Sequence, residues 1–283
     1  MPRRKFPSAA LLLLPTGLWM LVFLLTPLLI LFVYSLGSRD PLGRVVLGLN
    51  FVNYTRFFSM PYFWTLGRSM ILAGATTLTC LFLGTSFAIW LAFKVPKNRQ
   101  QFFMTLLVAP LWTSFLLRIY AWMTILRPAG ILTDILETLN WHNPPILLYT
   151  PYAVLLGMVY NYLPYMILPI YAAMEKLDVR LLEAAADLGS TPLRSLFKIT
   201  IPLSSRGLVA GCVMVFVPAL GDYVTPDLLG GAKTMFVGNL IQNQFLVVRD
   251  WPYGCAVSTI LILIVSVFVW IYLKFGESEA ASA

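Results

Sequence analysis

Two carboxylates and one arginine stand out as residues whose surroundings suggest chemistry. Asp222 and Asp227 flank Tyr223, just after Pro218 and Gly221 interrupt a long apolar run. Carboxylates in such a place can pair with ammonium groups, and a Tyr or Trp face adds about 0.5–2 kcal/mol of cation–π attraction. Asp227 has a second reading, because Thr225-Pro226-Asp227 also has the form of a helix start with an acid favoured by the dipole. Arg118 sits inside the apolar run 102–126, roughly 12 Å from its outer end at helical rise. A lone guanidinium at that depth is costly, so it is expected to snorkel, or to pair with an acid or carbonyls and shape a gate. If it lines an open path instead, an anionic substrate becomes more attractive.

The aromatic residues near these charges are further candidates. Trp112 and Tyr120, on one expected helix, point to similar faces and suit a tunnel wall. Tyr160 belongs to Tyr160-Asn161-Tyr162-Leu163-Pro164-Tyr165 beside an expected proline kink; packing or an interfacial belt is the favoured reading, with a cavity lining as the alternative.

Covalent chemistry finds no support. Gly230-Gly231-Ala232-Lys233-Thr234 is a partial phosphate-loop look-alike with Ala232 at a glycine position, and neither a Gly-x-Ser-x-Gly elbow nor a His-Glu-x-x-His helix occurs. Cys80, Cys212 and Cys255 lie in apolar surroundings without ligand spacing and read as small buried hydrophobes; His142 has no His or Cys neighbour at ligand spacing. No catalytic residue, metal site or bound cofactor is expected.

These residues must be positioned by a membrane-embedded helical scaffold. Hydrophobic residues make up 59% of the chain and charged ones 11%, against about 25% charged in soluble domains. Apolar runs long enough to span a bilayer fall at 9–36, 64–93, 102–126, 146–174, 203–220 and 251–275, the fifth interrupted by Gly207, Gly211 and Pro218. The first is too long for a cleavable signal and is read as an uncleaved helix. With six spans both termini share a side. That side collects Arg3, Arg4, Lys5, Lys94, Lys97, Arg99, Lys176, Arg180, Arg194, Lys198, Arg206 and Lys274, whereas Arg39, Arg44, Arg56, Lys233 and Arg249 fall opposite. The bias makes the termini cytoplasmic and accounts for most of the net charge of +8, which is therefore no nucleic-acid footprint. Met235, Phe236, Leu240, Ile241, Phe245 and Val248 recur at helical spacing and predict an amphipathic external or interfacial helix.

The cytoplasmic loop 175–202 reads as a compact knob. Asp178 is an expected N-cap for a helix over 179–188 ending at Gly189; Thr191 caps a second helix with Pro192 at its first position, and Pro202 ends it. Glu183 and Asp187 stand one turn apart, a mildly unfavourable pair unless a partner or Arg180 and Arg194 answers it. Ala184, Ala185 and Ala186 leave a smooth surface for close approach.

Glu183-Ala184-Ala185, then Gly189, then Ile199-Thr200-Ile201-Pro202 resembles the EAA loop of binding-protein-dependent ABC import permeases, with Ile201 where Leu is usual. Trp112–Trp122, Pro218–Gly231 and Arg249–Pro252 are similar to the spermidine/putrescine branch of that family. The resemblance implies an all-α integral membrane protein with six transmembrane helices, the type I ABC importer permease fold, forming one permease domain over residues 1–283. It implies a bacterial inner-membrane location and no enzymatic activity. The implied function is polyamine import, with another solute (amino acid, iron or organophosphonate) through the same fold as the alternative. Implied partners are a second permease, two ATPase subunits that use ATP and Mg, and a periplasmic polyamine-binding protein. Glu183, Ala184, Ala185, Gly189, Ile199 and Pro202 are the implied ATPase-coupling residues, and Asp222, Tyr223, Asp227, Trp112, Tyr120 and Tyr160 the substrate-path candidates.

Overall fold

The structure, a computed structural model, describes residues 8–128, 130–139, 146–231 and 233–278. Arg3, Arg4, Lys5, His142 and Ala232 lie outside the described residues. Helices dominate: α1 (Ser8–Ser35), α2 (Val52–Phe57), α3 (Met60–Phe93), α4 (Lys97–Val108), α5 (Phe115–Ile125), α6 (Ile131–Thr138), α7 (Pro151–Met174), α8 (Val179–Asp187), α9 (Pro192–Ser195), α10 (Ile201–Leu203), α11 (Ser205–Gly221), α12 (Val224–Gly230), α13 (Val237–Asn243) and α14 (Trp251–Ser278). One small antiparallel hairpin, β1 (Ser38–Arg39) with β2 (Val45–Val46), turns through Gly43 at φ +80°.

Four of these helices are long and apolar enough to cross a membrane: Leu14–Ser35, Pro61–Phe93, Pro151–Met174 and Trp251–Trp270. Two further stretches pass the same test only as bent pairs. The expected straight span over 102–126 is α4 with its 3₁₀ extension Ala109–Trp112, then α5 at 91° to it. Pro110 sits in the 3₁₀ turn, and Thr113 and Ser114 are extended, so the helical hydrogen-bond ladder stops there. In the fifth run the break is at Ser204, with a bend of 71° between 192–203 and 205–221. Counting each bent pair as one span gives up to six spans. The fourth run also starts later than expected, at Pro151, because Tyr149 has φ +65° and Thr150 accepts a cap bond from Ala153 N at 3.3 Å.

Contacts divide the chain into two compact units, Met1–Phe63 with Ile241–Ile264, and Trp64–Leu240 with Val265–Ala283. In the first, Arg56 of α2 meets Asp250, the residue before α14, in an ion pair of 2.9 Å. Asp250 also accepts from Tyr253 N at 3.3 Å, which caps α14. The guanidinium lies 4.1 Å from the Tyr253 ring centroid. Burial opposes the Arg56 charge, yet hydrogen bonding with Tyr62 and Asp250 more than offsets it and raises the pKa above the usual arginine value.

The second unit is built on α7. Its buried residues, including Met158, Met166, Ile167, Ile170 and Met174, receive α11, α12 and α5. Gly207 and Gly211 do not interrupt α11. They lie one turn apart on its buried face, where an added Cβ would stand 2.6 Å from Pro169 O and 2.7 Å from Met166 Sδ respectively. Small residues let helix backbones approach closely in a membrane, where packing rather than water expulsion holds helices together. Three hydroxyls on α3 are satisfied within the helix: Thr76, Thr77 and Thr79 bond back to Leu72, Ala73 and Ala75 carbonyls at 2.7–2.9 Å. Ser69 does the same to Thr65 O and also accepts from Val237 N at 2.8 Å, anchoring the start of α13.

Candidate functional site: a buried turn, a cavity and a capped loop

Asp222 lies in the turn between α11 and α12 and is buried. Its Oδ1 accepts from Val224 N at 3.0 Å and Thr225 N at 3.2 Å; its Oδ2 accepts from Thr225 Oγ1 at 2.6 Å and from Tyr162 Oη at 3.2 Å. This carboxylate, a path candidate, has a structural role in the fold. Its acceptor sites are filled inside the fold, where it starts α12 and ties it to α7. Gly238 packs against this turn, with an added Cβ only 2.6 Å from Gly221 O, and Asn239 Nδ2 donates to Tyr223 O at 3.0 Å.

The neighbouring candidates differ. Asp227 stands exposed in the first turn of α12, a favourable place for an acid at the helix dipole. Tyr223 is half exposed. Trp112 and Tyr120 do not share one helix, because the 91° break between α4 and α5 separates them. Both side chains are exposed.

Tyr160 and Arg118 do come together. They line a cavity of about 440 Å³ with Thr113, Leu117, Ala121, Trp122 and Ile125. Trp122 and Tyr160 meet edge to face at 5.4 Å between ring centroids, the arrangement that the ring quadrupoles favour. Among the described residues no acid answers Arg118: its Nε is buried without a hydrogen-bond partner, and its guanidinium carbon lies 5.8 Å from the Phe115 ring centroid. The expected acidic partner is absent from these neighbours because α5 carries no acid and α7 no charged residue.

Around α8 the local chemistry of the sequence is realised closely. Asp178 accepts from Arg180 N at 3.0 Å, and Thr191 accepts from Arg194 N at 3.4 Å with Pro192 at the helix start. Gly189 between them has φ +81°, a conformation that L side chains rarely adopt. Ser195 and Ser190 hydroxyls lie 3.0 Å apart and close the loop on itself. Pro202 does not end the second helix. The chain continues from α9 as a π-helix over Leu196–Thr200 and then α10, and breaks at Ser204. Glu183, Ala184, Gly189 and Pro202 are exposed, while Ala185 and Ile199 are partly covered. Arg180 and Arg194 make no ion pair with Glu183 or Asp187 among the described residues. The outer surface also carries exposed Leu181, Leu188, Leu193 and Phe197.

Residues 84–275 match the family of binding-protein-dependent transport system inner membrane components. The chain belongs to this family. It is 40% identical over 257 residues to the spermidine/putrescine transport system permease protein PotB of Escherichia coli, covering 90% of this chain and 93% of that protein. The PotB of Haemophilus influenzae is 39% identical over 260 residues, 92% of this chain and 91% of that protein. The permease shares its fold with a bacterial ABC transporter involved in the import of alginate, with a TM-score of 0.74 at 17% identity over 94% of both chains. It is thus a multi-pass inner-membrane transport component, non-catalytic, with the type I importer permease fold.

Several residues of the turn and the cavity of this permease do not stand out in sequence. Tyr162 is one of three tyrosines in its stretch, although its hydroxyl reaches Asp222. Trp122 and Thr113 stand out only as members of the Trp112–Trp122 stretch, although both line the cavity. The available signal was a helical spacing of three to four residues placing Arg118, Ala121, Trp122 and Ile125 along one side of α5.

Proposed function

We propose that this permease is the membrane subunit of an ATP-driven importer of linear polyamines, spermidine and putrescine among them. The observation that carries the reading is the 40% identity over 90% of the chain to PotB. A second permease completes the translocation path, two ATPase subunits use ATP and Mg, and a periplasmic polyamine-binding protein delivers the cargo. This chain binds no cofactor. Both termini and the α8–α9 loop face the cytoplasm, consistent with the basic bias of those segments.

The capped α8–α9 loop is the coupling element. Exposed Glu183 and the alanines beside it would contact an ATPase, with Gly189 setting the angle between the two helices and Ile199 and Pro202 leading into α11. Closure of the ATPases moves the loop, and the bent helices pass that motion to the path. Tyr160, Tyr223 and Asp227 remain path residues in this reading, with Trp112 and Tyr120 as aromatic surfaces on either side of the α4–α5 break. Asp222 serves the path by holding α12 on α7.

The test is uptake of radiolabelled solutes by the complete complex in proteoliposomes. Stimulation of ATP hydrolysis and uptake by spermidine or putrescine is expected, and stimulation only by an amino acid, iron or an organophosphonate would sink the polyamine reading. Glu183→Ala should abolish ATP-dependent uptake while leaving thermal unfolding unchanged, because the side chain is exposed; unaffected uptake argues against coupling through this loop.

A further inference from the structure

The cavity between α5 and α7 is lined by a charge that has no ion-pair partner among the described residues. Across Phe115–Ile125 and Pro151–Met174 there is one arginine, Arg118, and no Asp, Glu or Lys. The remaining wall residues, among them Thr113, Trp122 and Tyr160, are neutral. Neither acid on the adjoining segment forms an ion pair with it among the described residues. Asp222 accepts instead from Tyr162, Thr225 and Val224, and Asp227 is exposed on α12. Arg118 itself keeps a buried, unpartnered Nε.

Resting on the polyamine reading above, we infer that Arg118 is a specificity-determining residue. Its unpaired charge sets how weakly the path holds each additional ammonium group of a linear amine. The faces of Trp122 and Tyr160 attract cations and methylene chains with little discrimination, whereas the Coulomb repulsion from Arg118 grows in proportion to cargo charge. A transport path needs cargo to enter favourably yet leave readily. The aromatic wall supplies the first condition. Arg118 supplies the second, and it does so most strongly for the most highly charged amines.

The experiment measures KM and kcat for uptake of a linear diamine, triamine and tetraamine by the complete complex in proteoliposomes. In Arg118→Gln, KM should fall about threefold for the diamine and about tenfold for the tetraamine, with kcat for the tetraamine reduced as release slows. Arg118→Lys should keep the wild-type ranking. Ala121→Glu, one turn along α5, supplies the missing carboxylate while leaving the arginine in place and should shift KM in the same charge-dependent direction, so the test survives if Arg118→Gln fails to assemble. An equal change for all three amines, or a raised KM, overturns the role of Arg118. A wild-type complex that takes up none of the amines overturns the cargo reading instead.

Discussion

Tyr162 donates its hydroxyl to Asp222 over 3.2 Å, joining the middle of α7 to the turn that starts α12. The bond completes a set of four around one carboxylate, two from backbone N–H groups and two from hydroxyls. Removing a donor and removing the acceptor have unequal consequences. Tyr162→Phe leaves Asp222 with three bonds and should cost about 1 kcal/mol. Asp222→Asn turns an amide N–H₂ toward hydroxyl donors or abandons the backbone cap, and should cost about 1–3 kcal/mol. Thermal unfolding in detergent ranks the two; equal losses would show that the tyrosine, not the carboxylate, dominates the joint.

Close packing of α11 on α7 predicts a graded glycine series. Gly207→Ala places a Cβ against Pro169 O and Gly211→Ala places one against Met166, whereas Gly221→Ala meets nothing within 4 Å. The first two should destabilise by about 1–3 kcal/mol, more for Gly207 because its backbone neighbour, Pro169 O, stands at 2.6 Å, whereas at Gly211 the nearest atom is the flexible Met166 Sδ and the backbone Met166 O stands at 3.0 Å. Gly221→Ala should be neutral or slightly stabilising. Apparent melting temperatures of the three variants check the order.

The Arg56–Asp250 pair should contribute little by charge alone. The arginine side chain is 41% exposed, and solvent screening holds such pairs below about 1 kcal/mol. Asp250→Ala, which also removes the cap on α14 made to Tyr253 N, should cost about 1 kcal/mol more than Asp250→Asn, which keeps an acceptor oxygen. A double-mutant cycle with Arg56→Gln separates the ion pair from the cap.

In the α8–α9 loop, stability and function should respond to different residues. Gly189→Ala imposes a side chain at φ +81°, a strain of about 1 kcal/mol, that shifts the angle between the helices. Leu193→Asp and Phe197→Asp change exposed positions and should leave melting unchanged within about 0.5 kcal/mol. All three should lower ATP-dependent uptake if this surface docks a partner; normal uptake in both exposed-site variants would place the docking surface elsewhere.

Much of this architecture was legible because it is local. Caps act over three residues, so Asp178 and Thr191 could be assigned from spacing alone, and helix-length apolar runs follow from composition. The break between α4 and α5 was not legible, because an apolar run reports burial or lipid exposure and is silent on direction. Gly207 and Gly211 read as helix interruptions in one dimension. Against Met166 and Pro169 they become the surface that brings two helices together.

By itself the sequence determined the membrane-embedded helical class, the capped loop and the family, since these depend on hydrophobicity, short-range hydrogen bonding and motif spacing. Tertiary structure alone decided what the charges do. Asp222 meets a hydroxyl from Tyr162, 60 residues away in the chain, and becomes an internal anchor. Arg118 forms no ion pair among the described residues and lines a cavity. Whether an ionisable group is paired depends on distances of a few ångströms between segments remote in sequence, and only the packing of α5, α7 and α12 sets those distances.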